Sequence, residues 1–154
     1  MNAARGHSVL VLPAQMLYLL QQGRPFNILP ELRNAATSIA VFGNSGSHWT
    51  LYIANTQTRQ LYFQDTLGDR PGRSHPIQLD TLRTWLTNNI SDGAPWSVKK
   101  MPAPPQSDLN RAGDRGNDCG MGAIYGLMHY IQHGTMIAPR SCPNSRELFH
   151  ILRG

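Results

Sequence analysis

Cysteine is scarce in this chain. Of 154 residues two are cysteine, Cys119 and Cys142, and two cysteines make no stapled framework. Their settings differ. Cys119 stands in Asn-Asp-Cys-Gly-Met-Gly, a polar junction leading into a helical pattern, and Cys142 in Arg-Ser-Cys-Pro-Asn, a turn. A single disulfide between them stays open, but a reducing intracellular compartment, the cytoplasm or nucleus of its own cell or of a host, is the simpler expectation. Long apolar runs are missing as well. The stretch from Val9 to Leu20 is interrupted by Pro13 and Gln15, and no small-x-small cleavage site follows it. It is too short to span a bilayer, so neither a secretion signal nor a membrane contact is expected. Repeats, coiled-coil registers and long disordered tails are also absent, which leaves an ordinary globular chain.

Acidic residues are outnumbered, 9 against 14 basic, for a net charge of +5. Such a surplus admits an acidic partner, a nucleic acid or an anionic surface. Apart from Lys99-Lys100, Arg111 and Arg115, however, the basic residues are scattered, as on a solvated face. What is plentiful is glycine, 14 residues, and proline, 11: the chain is rich in turns. Its length suits one domain over 1–154 with one modest core.

Apolar spacing predicts the elements. Pro13 to Gln22 reads as a helix with Met16, Leu17 and Leu20 on its stripe, ended by Gly23, and Pro30 to Asn34 as a short helical turn. Ser38–Phe42, Trp49–Ala54 and Gln60–Gln64 read as strands, the last two forming an antiparallel hairpin around the polar turn Asn55–Thr58. Asp80–Ile90 reads as a helix burying Leu82, Trp85, Leu86 and Ile90, and Trp96–Met101 as a strand. Pro102 to Asn117 has no periodicity and reads as a long loop. Asp118–His133 carries the clearest helical pattern, with Met121, Ile124, Met128 and Ile131 at spacings of three and four. Gly120, Gly122 and Gly126 each weaken that helix by roughly 1 kcal/mol, which makes sense where another element must approach closely. Asn144-Ser145-Arg146-Glu147 matches a capping box opening a last short helix. The order predicts an α+β fold, a small mainly antiparallel sheet packed against helices. Leu51, Ile53, Phe63, Ile124 and Met128 are expected in its core.

One constellation can carry chemistry. Cys119 opens a helix, where unpaired backbone N–H groups favour a thiolate and can meet an oxyanion. A thiolate needs a partner that accepts and returns a proton, and histidine does this best near neutral pH. Of six histidines, His129 and His133 lie two and more turns along the same helix, out of reach. His7 and His150 are near the ends, and His75 is in a Pro/Gly-rich loop. His48 stands where a Gly/Ser loop becomes a firmly patterned strand. Asp65 follows the next strand, so the hairpin brings both to the same open end, where a carboxylate can orient the imidazole. Each residue also has a plain reading: a packing Cys-Gly pair, a surface histidine and a turn-forming aspartate.

These residues carry a resemblance. His48-Trp49-Thr50-Leu51-Tyr52-Ile53, then Leu61-Tyr62-Phe63-Gln64-Asp65-Thr66-Leu67, then Asn117-Asp118-Cys119-Gly120-Met121-Gly122 resemble, in order, the motifs of the adenain/Ulp1-like cysteine peptidases. That group comprises ubiquitin-like-protein proteases, related bacterial effectors and adenovirus-type maturation proteases. The resemblance spans roughly residues 12 to 133 and implies the papain-like architecture of the Ulp1/adenain type. It implies Cys119 as nucleophile, His48 as base and then acid, Asp65 as its orienter and Gln106 as the oxyanion-hole glutamine. Here the chain departs from the pattern, because the family's glutamine stands only a few residues before the cysteine, whereas Ser107 to Asp118 intervene here. Asn110 and the Cys119 backbone N–H are the substitutes. Trp49 resembles the tryptophan that lids a narrow tunnel for a Gly-Gly tail, with Gly120 as a second substrate contact. No tryptophan precedes His48, unlike the modifier-specific members.

The expected activity is thus cleavage of a peptide or isopeptide bond after small residues, with a protein substrate: ubiquitin, a ubiquitin-like modifier or a polyprotein. The alternatives are a viral or mobile-element maturation protease with a secondary nucleic-acid contact, an acetyltransferase using the same three residues, and a non-catalytic binding module. No cofactor is expected. Nor is a metal, because Cys119 and Cys142 lack close ligand spacing and His129 and His133 lack further ligands.

Overall fold

A computed structural model describes residues 8–44, 49–64, 76–101 and 118–136. In chain order its elements are β1 (Val9–Leu12), α1 (Gln15–Gln21), α2 (Pro30–Ala35), β2 (Ser38–Asn44), β3 (Trp49–Asn55), β4 (Gln60–Gln64), α3 (Pro76–Asn89), β5 (Ser97–Met101) and α4 (Asp118–His133). The strands form one five-stranded sheet in the order β1-β2-β3-β4-β5. Among the described residues no helix is long and apolar enough to cross a membrane.

The middle of the sheet is antiparallel and its margins are parallel. β3 pairs with β2 and β4 in antiparallel register, with Val41 opposite Tyr52 and Tyr52 opposite Phe63. The outer pairs, β1 with β2 and β4 with β5, run parallel. A tight turn can only join antiparallel strands, while a parallel neighbour needs a crossover. The stretch holding α1 and α2 supplies the crossover to β2, and the stretch holding α3 supplies the one to β5. β1 was not among the expected strands. Its four residues are all apolar, too short a run to separate from the apolar stretch that continues into α1.

Alternation then sorts the core into two layers. Ile39, Val41, Tyr52, Ala54, Leu61 and Phe63 face Met16 and Leu17 of α1 and Leu82, Trp85 and Leu86 of α3. Tyr52 and Phe63 stack there, with ring centres 5.2 Å apart. Ala40, Leu51 and Ile53 point the other way, toward Ala123, Leu127 and Tyr130 of α4. β3 is therefore covered on both faces, and only its two end residues reach solvent. At Gly43, opposite Thr50, an added Cβ would stand 2.5 Å from the Thr50 hydroxyl and 2.6 Å from the Tyr52 ring. That point of the sheet has no room for a side chain.

Beyond β1, the elements follow the apolar pattern closely, with two further differences. α3 begins at Pro76 rather than Asp80, because proline's fixed φ suits a first helical turn. The buried face of α4 also differs from the expected stripe. Leu51, Ile53 and Phe63 are in the core as expected, but Ile124 is 44% and Ile131 43% exposed, and Met128 is only half-buried. The helix lies on the sheet through Ala123, Gly126 and Leu127 instead. A Cβ at Gly126 would fall 2.7 Å from Gln64 Oε1 and 3.1 Å from Leu51 Cδ2. Small residues permit that close approach, and the helix turns its larger aliphatic side chains outward to achieve it.

Candidate active site

Three elements define one end of the sheet. Asn44 pairs with Trp49, and Leu51 pairs with Gln64, so the hairpin of β3 and β4 opens at Trp49 and Gln64. Its closed end is the turn after Asn55, opposite Ser38. The direction of α4 follows from two contacts. Tyr130 Oη and Ser38 Oγ share a hydrogen bond of 2.7 Å at the closed end, while Gly126 lies against Leu51 and Gln64 near the open end. The helix therefore runs with its first residues toward the end where the hairpin opens. Gly126 is seven residues past Cys119, about 10 Å of helix at 1.5 Å per residue.

Cys119 and Gly120 are the second and third residues of α4; the structure describes the helix there and not the thiol. His48, Asp65, Gln106 and Asn110 lie outside the described residues, and so do Cys142 and the last helix predicted after Asn144. His48 directly precedes the first residue of β3, and Asp65 directly follows the last residue of β4. Trp49 is 38% exposed and so lies outside the packed core.

The frame around this end is braced by groups that sequence patterns did not single out. Gln78 of α3 donates from Nε2 to the Asn44 carbonyl at 2.8 Å, tying the end of β2 to the helix below it. Thr50 Oγ1 and Gln78 Oε1 are buried beside Gly43 with no hydrogen-bond partner among the described residues. Gln64 is 5% exposed, a polar side chain beneath α4 where Gly126 approaches the sheet. The only available signal was a polar residue closing an otherwise apolar strand.

On the α4 face, the half-buried Tyr62 donates from its hydroxyl to Gln60 Oε1 at 2.6 Å. Burial first, and then the neighbouring Tyr130, raise the Tyr62 phenol above its usual value of 10.0. A raised phenol favours the neutral, folded form. Its contribution to stability is complete below the unfolded value and is lost as pH climbs through the folded one. The urea midpoint is accordingly expected to fall above pH 10, and to fall less in Tyr62→Phe; equal alkaline slopes in the two proteins would remove this role.

At the other end of α4, the His129 and His133 rings stand 4.5 Å apart, and His129 Nδ1 lies 3.0 Å from the Thr135 carbonyl. Among the described residues no group of three or more His, Cys, Asp or Glu could hold a metal ion.

No protein-family model matches the chain, and no curated protein matches its sequence. Solved structures do match. The SUMO protease Ulp1, with its catalytic cysteine oxidised to a sulfonic acid, aligns with a TM-score of 0.64 at 14% identity, covering 97% of this chain and 67% of its own. The Ulp1-like SUMO protease catalytic domain of Chaetomium thermophilum gives 0.64 at 18%, covering 94% of this chain and 57% of its own. ChlaDub1 from Chlamydia trachomatis gives 0.54 at 18%, covering 91% and 73%. The chain thus has the fold of the Ulp1-type cysteine peptidases, and it spans about two thirds of the first of these chains and less of the second.

Proposed function

We propose that this protein is a cysteine peptidase, one domain over all 154 residues, in which Cys119, His48 and Asp65 form the catalytic triad. One observation carries the reading: α4 begins at the end of the sheet where the β3–β4 hairpin opens. From Leu51 to Trp49, the described residue next to His48 in the chain, is two residues, about 7 Å of strand, and from Gly126 to Cys119 is about 10 Å of helix. Measured from their shared contact, the strand and the helix thus both run toward the open end of the hairpin. The ordered motifs around the three residues and the Ulp1-type fold support the same assignment.

The chemistry would run in two halves. Cys119 Sγ, held as a thiolate by the helix N-terminus and by His48, attacks the substrate carbonyl carbon. The C–N bond breaks, the amine leaves with a proton from His48, and a thioester remains on Cys119. Water then gives a proton to His48 and attacks the thioester, whose C–S bond breaks; the acid released loses its proton to solvent, and the thiolate–imidazolium pair of Cys119 and His48 is restored. Asp65 holds the imidazole in the tautomer that both halves need. The Cys119 backbone N–H and an amide side chain, Gln106 or Asn110, meet the oxyanion. Trp49 at the mouth, with Gly120, restricts the substrate to small residues before the scissile bond, as in a Gly-Gly tail. The substrate is then a protein such as ubiquitin or a ubiquitin-like modifier.

C-terminal electrophile probes of ubiquitin and of its relatives test this. An adduct on Cys119, absent from Cys119→Ala, is the expected result. If no probe reacts, the modifier substrate is excluded. If iodoacetamide also alkylates Cys119 no faster than a free thiol between about pH 5 and 8, the peptidase reading fails with it.

A further inference from the structure

At the closed end of the sheet, α2, α3 and the turn between β3 and β4 surround a polar cleft of about 390 Å3. Arg33 and Arg59 line it, together with Thr56, Gln57, Ser91 and Asp92. Two features set it apart. Arg59, at φ 54°, and Asp92, at φ 51°, are the two non-glycine residues with positive φ among the described residues, and both line this cleft. That backbone region favours glycine, because a Cβ there crowds its own carbonyl. Arg59 is nonetheless clamped in it. Its N–H donates to the Asn55 carbonyl at 2.9 Å, and its own carbonyl accepts from Ser97 N–H at 3.0 Å. A side chain kept where glycine would sit more easily points to a use for that side chain.

The second feature is what the cleft leaves open. Its hydroxyls are engaged within the fold: Thr56 donates to the Ala36 and Thr37 carbonyls, and Ser91 lies 2.5 Å from the Ala94 carbonyl. Arg33 donates from Nη1 to the Asn89 carbonyl at 3.3 Å, which tethers its guanidinium and leaves its other N–H groups to the cleft. Neither arginine is in an ion pair among the described residues. Two guanidinium groups, one of them held in place, are therefore the cationic groups that the described residues present to a ligand there, beside the Asp92 carboxylate, and their planar forks match carboxylates.

We propose that the Arg33–Arg59 cleft binds an acidic side chain of an extended peptide segment. Carboxylates fit it better than the phosphates of a nucleic acid. Asp92 within the cleft would repel a continuous polyanion but can accept a peptide N–H, and among the described residues no aromatic side chain lines the cleft for a base to stack on. There is also space for the rest of a segment. Arg33 also lines a hollow beside Phe26 and Trp85, and that hollow shares Phe26, Trp85 and Asn89 with a larger one of about 590 Å3 between α3 and residues 23–27. This site is at the opposite end of the sheet from Cys119, and the proposal does not depend on the peptidase reading.

Fluorescence anisotropy with a labelled decapeptide carrying a single Glu among neutral polar residues, its Gln counterpart and a single-stranded DNA 10-mer tests it, using Cys119→Ala protein so that catalysis plays no part. The Glu peptide is expected to bind at least tenfold more tightly than the Gln peptide. Arg33→Gln and Arg59→Gly should each weaken it about fivefold or more, and Arg59→Gly should do so without lowering Tm, since it relieves the backbone. Arg59→Gln serves the same purpose if the glycine variant loses its fold. The proposal fails if the Glu peptide does not bind, if the variants bind it equally well, or if the DNA binds more tightly and is lost in the same variants.

Discussion

Cys119→Ala and His48→Ala are each expected to lower kcat/KM for a fluorogenic peptide by about 10⁴-fold or more, with thermal unfolding little changed. The thiol supplies the electrons of the new bond and the imidazole moves the proton in both halves, so neither has a substitute. Combining the two changes should cost little beyond either one, because members of a triad act as a unit. Asp65→Ala should cost less, as the imidazole keeps its basic nitrogen and loses only its orientation. Removing the amide donor of the oxyanion hole is expected to cost about 10²–10³-fold. Comparing Gln106→Ala with Asn110→Ala at that level decides which of them fills it. Stability should hold because positions 48 and 119 adjoin the start of β3 and stand in the first turn of α4, at the end where the hairpin opens, and the core is built from Leu51, Tyr52, Ile53 and their partners. A His48→Ala protein with activity within tenfold of the native chain would remove this assignment.

Gly126→Val is expected to cost about 2–3 kcal/mol of folding stability, even though valine is the better helix former. The first added carbon would meet Gln64 Oε1 at 2.7 Å and Leu51 Cδ2 at 3.1 Å. Leu51 is fully buried and Gln64 nearly so, so neither can swing into solvent to make room. Gly126→Ala sets the same clash against a propensity gain of about 1 kcal/mol. A small net loss is expected, because the Gln64 amide would have to leave its buried position. Activity should suffer more than stability. A shift of about 1 Å at a nucleophile can cost 10²-fold, and the assay belongs at a temperature where every variant is folded. Ile124→Ser and Ile131→Ser, on the outward face of the same helix, should change stability by no more than about 0.5 kcal/mol. A Gly126→Val protein as stable and active as the native chain would show that the close contact does not position α4.

How much of this was legible in the sequence varies from element to element. β4 and α4 have the bounds that their patterns predict, since a strict alternation and a run of threes and fours each end at a polar turn or a glycine. The hairpin was legible because both of its strands alternate around Asn55–Thr58. β1 was not, because four apolar residues before a proline suit a strand or a helix equally well. The face of α4 was misread for a different reason. Side-chain size suggested Ile124 and Met128, whereas the closest approach, at Gly126, decided which side is buried. Of the candidate site, the sequence showed which residue types recur in which order. It did not show the bracing of β2 by Gln78, or the Gln64 side chain beneath α4, because both are contacts between residues far apart in the chain. His48, Asp65 and Gln106 lie outside the described residues, so their roles rest on motif and on the positions of their neighbours.

The hydrogen bond between Tyr130 and Ser38 has a mechanical side. It pins the C-terminal part of α4 to the first residue of β2, which makes it a pivot for a tilt forced on the helix. Gly126 is four residues from the pivot and Cys119 eleven, so any tilt imposed at mid-helix reaches the tip amplified roughly threefold. The helix behaves as a lever whose long arm carries the sulfur.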